Sequence, residues 1–121
     1  GITNLMVDTY GAPQALVHDR FQWVLDNAHV IVAQNAQFDI GIMASFSMRI
    51  QSMTSSLLTF DQRVIDTRIV AQQQGLPSTK LKDIHKHLFG AEPAVQHRAM
   101  ADVMTTRKVL FKMVELGWVK L

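Results

Sequence analysis

The chain has no cysteine among its 121 residues. This absence excludes a disulfide framework and any metal site built on thiolates, and it fits a reducing, cytoplasmic setting. No run of about 18 apolar residues occurs, so no segment has the pattern of a transmembrane helix. The opening residues, Gly1-Ile2-Thr3, include neither a methionine nor the pattern of a signal peptide. We therefore expect a cytoplasmic protein that does not bind membranes.

The sequence also lacks internal repeats, low-complexity segments and domain linkers. Its length is typical of one domain, and a hydrophobic content of 48% is sufficient to form a core. The net charge of +2 is compatible with nucleic-acid binding but does not by itself indicate a basic patch. Any surface that binds phosphates must therefore be local.

A short apolar run leads directly into a helical pattern that carries an aspartate. Val30-Ile31-Val32 is rich in β-branched residues and predicts a buried strand, Val30–Ala33, with a helix from about Asn35 to Ile50 after it. Asp39 thus follows the junction of a strand and a helix, where α/β domains commonly place functional side chains. A carboxylate among apolar neighbours is paired, binds metal or caps the helix. The residues alone leave these alternatives open.

The remaining patterns predict further helices and one more short strand. Asp66 is a natural N-cap, and Ser78 or Thr79 is another. The predicted elements are a helix from Pro13, a loop at 51–56, a strand at 63–65, a helix at 67–74, a helix ended by Gly90, and a last helix at 98–116. The first of these helices has an apolar stripe, formed by Val17, Phe21, Val24, Leu25 and Ala28. The last helix has a core stripe, formed by Ala99, Val103, Thr106, Leu110, Met113 and Gly117.

The last predicted helix carries a second aspartate close to its core. At about 100° per residue, Asp102 lies roughly 60° from the middle of the apolar stripe. It should therefore point along the edge of the core, toward the sheet. His97 precedes the helix and is free to lean over the same place.

Two stretches together resemble a known family. Asn35-Ala36-Gln37-Phe38-Asp39 and His97-x-x-x-x-Asp102 resemble the second and third motifs of the DEDDh 3′–5′ exonucleases, which include the proofreading epsilon subunit of bacterial DNA polymerase III. Val64-Ile65-Asp66-Thr67 and Lys80-Leu81-Lys82-Asp83-Ile84 are similar to the family as well. The resemblance covers essentially the whole chain in the right order. It implies an α/β, ribonuclease H-like exonuclease fold, with central strands flanked by helices.

The resemblance also implies roles for the motif residues. Hydrolysis of a phosphodiester requires charge stabilisation on the attacking and leaving oxygens, which two divalent ions roughly 3.5–4 Å apart can supply. Asp39 and Asp102 would be ligands of Mg²⁺ or Mn²⁺, because carboxylates suit these ions. His97 would be the general base that takes a proton from water, a task that suits imidazole near neutral pH.

The other residues of these motifs are expected to shape the site or hold the substrate, the 3′ end of single-stranded DNA or RNA. Asn35 would order the strand-to-helix turn and contact substrate, and Phe38 would pack beneath that turn. Asp66 is interpreted as a structural cap. Lys80 and Lys82 could hold the backbone of the strand, although a solvated helix face is the commoner explanation of such lysines.

The chain departs from the family at two places. The first motif, Asp-x-Glu, is not found in residues 1–28, and Gln34 stands where relatives often have histidine. We therefore expect the C-terminal part of a single exonuclease domain, N-terminally truncated and inactive by itself. We also expect self-association, or another polypeptide, to cover the exposed flank of the Val30–Ala33 strand.

Two alternatives remain beside the exonuclease interpretation. The chain could be a catalytically inactive nucleic-acid-binding or scaffolding module, or a purely structural α/β domain whose motifs are unused. A zinc site at His85 and His87 is disfavoured, because side chains at i and i+2 diverge on a helix and no cysteine completes the site. These residues do not distinguish a DNA substrate from an RNA substrate. They also do not distinguish a role in proofreading or repair from that of a free-standing nuclease.

Overall fold

A computed structural model describes residues 14–50 and 57–121 of the chain. The predicted order of helices and strands is confirmed over these residues, while the predicted helix start at Pro13 and the loop at 51–56 lie outside them. No helix in the described ranges has the length and hydrophobicity that crossing a membrane requires. The elements are α1 (Gln14–Asn27), β1 (Val30–Ala33), α2 (Ala36–Arg49), β2 (Arg63–Asp66), α3 (Thr67–Gln73), α4 (Leu81–Phe89) and α5 (Ala99–Glu115).

The chain divides into two compact units. The first unit is described at residues 14–29, 40–50 and 57–62, and it holds α1 and most of α2. The second unit comprises Val30–Asp39 and Arg63–Leu121. It holds both strands, the first turn of α2 and helices α3 to α5, and every sequence-predicted site residue lies in it.

The two strands pair in parallel, which confirms the α/β prediction. The register runs from Val30 opposite Arg63 to Ala33 opposite Asp66. Because the strands are parallel and in register, their carboxyl ends meet at one edge of the sheet. The β1–α2 turn and the start of α3 therefore lie side by side. Within the described residues the sheet has these two strands, so a central position for β1 stays a prediction.

The core of the second unit is built from β2 and from helices α3, α4 and α5. Its buried side chains are Ile65, Ala71, Ile84, Val109, Leu110, Met113 and Val119. Helix α5 contributes residues from its C-terminal half, and β1 adds Val30 and Val32 at the periphery of the cluster. The core therefore anchors α5 at one end and leaves its first turns free to face a cavity.

The predicted core stripe of α5 is correct in its middle and wrong at both ends. Thr106, Leu110 and Met113 are buried as predicted, but Val103 is 59% exposed and Ala99 and Gly117 are exposed as well. Val103 and Ala99 line an open cavity instead. A periodic apolar stripe does not distinguish side chains that face a core from those that face a cavity.

The predicted apolar stripe of α1 is correct at Phe21, Leu25 and Ala28, which are buried or half-buried, and wrong at Val17 and Val24. Val17 and Val24 are exposed, whereas His18 is only 2% exposed and Leu25 is buried. The imidazole of His18 hydrogen-bonds with Ser47 Oγ at 3.0 Å. A histidine is tolerated inside a protein when such a partner offsets the loss of water, and the pattern of apolar residues does not reveal that partner.

We predict that Ile84→Ala lowers the free energy of unfolding by about 2–5 kcal/mol, because it opens a cavity in a closely packed core. Ile84 has no exposed surface. The matched control is Ile69→Ala on α3, where the side chain is 47% exposed and the change should be within about 1 kcal/mol. Urea unfolding of both variants measures this, and equal losses would contradict the assigned core.

Candidate active site

A cavity of about 960 Å³ opens in the second unit. Its walls come from the end of β1, the first turn of α2, the start of α4, the segment before α5 and the first half of α5. Five of the residues singled out in the sequence line it, namely Asp39, Lys80, Lys82, His97 and Asp102. The fold thus brings together side chains that are up to 63 residues apart in the sequence (102 minus 39).

Each of the two cavity aspartates lies in the first turn of its helix. The N-terminus of a helix carries partial positive charge, which favours carboxylates there. Partial burial raises the pKa of Asp39 above its ordinary value, and the carboxylate of Asp66 raises this pKa further. The fold therefore makes ionised Asp39 less favourable than a carboxylate in water, as expected for a group whose charge a cation would offset.

The turns that precede these two helices both have a left-handed backbone. Asn35, before α2, has φ 68°, and His97, before α5, has φ 59°. They are the non-glycine residues with positive φ in the described part of the chain. This conformation costs most residues about 1–2 kcal/mol, although asparagine and histidine adopt it more often than others. Such strain is concentrated at functional sites, and here both instances flank the cavity.

Asp66 holds the β1–α2 turn as well as the helix that it caps. Its Oδ1 accepts hydrogen bonds from the backbone N–H of Asn35 and of Arg68, both at 2.9 Å, and its Oδ2 accepts one from Ala36 N–H at 2.8 Å. The predicted cap of α3 is therefore confirmed. The two bonds to the neighbouring turn were not predicted, because they depend on the parallel register that brings Asp66 beside Ala33.

Gln34 joins two walls of the cavity, a role that the sequence analysis missed. Its Nε2 donates to the carbonyl oxygen of Thr79 at 2.7 Å, and its Oε1 accepts from the hydroxyl of Thr67 at 2.6 Å. The end of β1 is thereby tied to the segment that leads into Lys80. A polar residue directly after an apolar, half-buried strand was the available signal. Its partners are 33 and 45 residues away.

Two of the remaining motif residues differ from expectation. Phe38 is 62% exposed, so the prediction that it packs beneath the turn is wrong; the bonds from Asp66 order that turn instead. Asn35 shapes the turn as predicted, through its backbone. It is not among the described residues that line the cavity, and its contact with substrate stays a prediction.

The cavity offers two carboxylates, Asp39 and Asp102, that could serve as ligands of a hard divalent cation. Mg²⁺ is commonly held through one or two carboxylates, with water and substrate phosphate as the other ligands. Asp39 and Asp102 match this requirement. Across residues 14–50 and 57–121, no three histidine or carboxylate side chains form a group that could hold a metal ion. A second ion would therefore need carboxylates beyond this pair.

The side chain of His85 is held by contacts within the fold. It is buried, its Nδ1 lies 2.5 Å from the carbonyl oxygen of Ala91, and its Nε2 lies 3.3 Å from Lys108 Nζ. These contacts assign the proton to Nδ1, since a carbonyl accepts and an ammonium donates. His85 thus fixes the start of the segment that leads to His97, and both of its ring nitrogens are engaged.

We predict that removing the Asp66 carboxylate destabilises the second unit in a graded way. Asp66→Ala leaves three backbone N–H groups without their acceptor and should cost about 2–4 kcal/mol. Asp66→Asn can keep the two bonds made by Oδ1 and lose the one made by Oδ2, so it should cost about half as much. Urea unfolding measures the free energy of unfolding of both variants. An alanine variant as stable as the asparagine variant would contradict the proposed role of the hydrogen bonds to Asp66.

We predict that Asp39→Asn raises the unfolding temperature at pH 7. A raised pKa means that the folded chain binds the proton more tightly than the unfolded chain, so ionisation of Asp39 costs stability above this pKa. The gain should stay below about 1 kcal/mol, because Asp39 is exposed and its charge is screened. It should vanish as the pH falls through the pKa of Asp39.

Thermal unfolding between pH 3 and pH 7 measures the effect of Asp39→Asn. Asp61→Asn is the control, because Asp61 is exposed and does not line the cavity. A gain for Asp39→Asn that persists at the lowest pH would show that charge is not its cause.

Comparison with known proteins agrees with this geometry. The RNase_T exonuclease family model matches residues 1–110 of the chain. No curated protein and no solved structure matches it. The match spans most of the chain and includes Asp39, His97 and Asp102, and the family is one of exonucleases. The chain belongs to the RNase_T exonuclease family, the DEDDh type of the ribonuclease H-like superfamily.

Proposed function

We propose that this domain hydrolyses phosphodiester bonds at the 3′ end of single-stranded DNA or RNA, and so works in the 3′–5′ direction. The observation that supports the proposal is the shared cavity. Asp39, Asp102 and His97 line it together with Lys80 and Lys82. Carboxylates, an imidazole and ammonium groups in one cavity are the side chains that phosphodiester hydrolysis needs. Such an activity would suit proofreading or repair.

His97 is the proposed general base. Its side chain is exposed and lines the cavity, and the left-handed backbone at this residue ends the preceding segment directly before α5. Imidazole is the side chain that most often takes a proton from an attacking group. In this cavity it would take the proton of the water that attacks the terminal phosphodiester.

Asp39 and Asp102 are the proposed ligands of Mg²⁺ or Mn²⁺. When bound, divalent ions of this kind stabilise charge on the attacking and leaving oxygens. The 121 residues contain no Asp-x-Glu pair, so ligands for a second ion would be supplied from outside this sequence. We therefore expect the chain by itself to be close to background in activity.

Lys80 and Lys82 are the proposed contacts to the nucleic-acid backbone. Lys80 is exposed and Lys82 is half-buried, and both line the cavity at the start of α4. Ammonium groups bind phosphates without regard to sequence. This supports an end-processing activity that accepts any base sequence.

We predict that a 3′-tailed single-stranded oligonucleotide with Mg²⁺ or Mn²⁺ is degraded one nucleotide at a time once an Asp-x-Glu segment is joined to the chain. In that active form, Asp102→Ala should abolish turnover, because a metal ligand is lost. His97→Ala should lower kcat by about 10²–10⁴-fold and leave metal binding largely intact, because the base acts on water. Gel analysis of products and calorimetry with Mn²⁺ measure these effects.

The matched control is His87→Ala, because His87 is exposed and does not line the cavity. Robust turnover by the 121-residue chain alone would overturn the expectation that further carboxylates are needed. If the joined form binds the oligonucleotide but shows no metal-dependent turnover with Asp39, His97 and Asp102 intact, the domain is a nucleic-acid-binding module without catalysis.

A further inference from the structure

Arg107 lines the same cavity as the proposed catalytic residues, although no motif includes it. We infer that Arg107 binds a phosphate of the single strand next to the reacting one, and so sets the affinity for substrate. The inference rests on the proposed function of the cavity and adds a binding residue to it.

The position of Arg107 along α5 suits a contact to the phosphate next to the reacting one. Asp102, Thr106, Arg107 and Leu110 line the cavity from successive turns of this helix. At a rise of about 1.5 Å per residue, Arg107 lies about 7.5 Å along the helix axis from Asp102. This offset separates the backbone position of Arg107 from that of Asp102 along the cavity wall. A role in holding the strand therefore fits Arg107 better than a role in the chemical step.

The contacts of Arg107 leave its hydrogen-bond donors available. Its guanidinium carbon lies 5.2 Å from the centroid of the Phe111 ring, a contact that uses the flat face of the group. No described carboxylate forms an ion pair with Arg107, and the described Lys112–Glu115 pair lies elsewhere on α5. The fork of N–H groups matches the oxygens of a phosphate.

The charges around the cavity favour a polyanion over a single small anion. Lys80, Lys82 and Arg107 supply three cations, against the two carboxylates of Asp39 and Asp102. The lysines lie at the start of α4 and Arg107 lies on α5, so the cations stand on different walls. A strand that passes between these walls can meet several of them in turn, with one phosphate at each.

The test measures binding by the 121-residue chain without catalysis. A fluorescein-labelled single-stranded oligonucleotide is titrated in EDTA and followed by anisotropy at several salt concentrations. Arg107→Ala should weaken binding by about threefold to tenfold and reduce the slope of log K against log salt by about 0.7, the value for one lost contact on a single strand. The effect should be equal on dT and dA oligonucleotides.

Two matched variants test whether the effect depends on the guanidinium group and on its place in the cavity. Arg107→Lys keeps the charge and loses the fork, so it should bind more weakly than the natural chain and keep the salt slope. Arg68→Ala removes an exposed arginine of α3 that does not line the cavity, and it should change neither quantity. Circular dichroism should show all three variants folded, since Arg107 is exposed.

The outcomes separate this inference from the proposed function. If the natural chain binds the oligonucleotide and Arg107→Ala binds it equally well with the same slope, the inference is wrong and the proposed function stands. Equal losses for Arg68→Ala would mean that only net charge matters, and would also overturn it. If the natural chain binds no single strand at low salt, both proposals fail together.

Discussion

The site depends on one buried carboxylate that three backbone N–H groups share. Asp66 ends β2, caps α3 and accepts from Asn35 and Ala36 at the start of α2. Backbone donors at a helix N-terminus have no partner within their helix, and an acidic side chain satisfies them well. The first turn of α2, and with it Asp39, is therefore positioned by a residue of the neighbouring strand. Removing that carboxylate would release the turn without altering any residue of the cavity.

Two features of the cavity lower the stability of the folded chain. The charge of Asp66 and partial burial both raise the pKa of Asp39, and the backbone at His97 adopts a conformation that histidine adopts rarely. Neither feature stabilises the fold. Features of this kind are concentrated at functional sites, and a bound cation would offset the charge of Asp39.

The errors of sequence reasoning share one cause. His18 is buried because Ser47 offers it a hydrogen bond, and Val103 is exposed because α5 faces a cavity at that turn. Phe38 is exposed, and bonds from Asp66, rather than packing of the Phe38 ring, order the turn before it. In each case the environment of the side chain is set by tertiary contacts that the pattern of neighbouring residues does not reveal.

The sequence by itself determined the order of helices and strands, the cap at Asp66, and the motif residues Asp39, His97 and Asp102. The order of the elements and the cap follow from local patterns, in which each residue depends on neighbours within a few positions. The three motif residues follow from the resemblance to the exonuclease family. The tertiary structure decided that the cavity also includes Arg107 and that Gln34 ties the turn to Thr79. Such pairings depend on the parallel register of two strands and on which turns of α5 face the core. Both are properties of packing between distant segments, which no local pattern encodes.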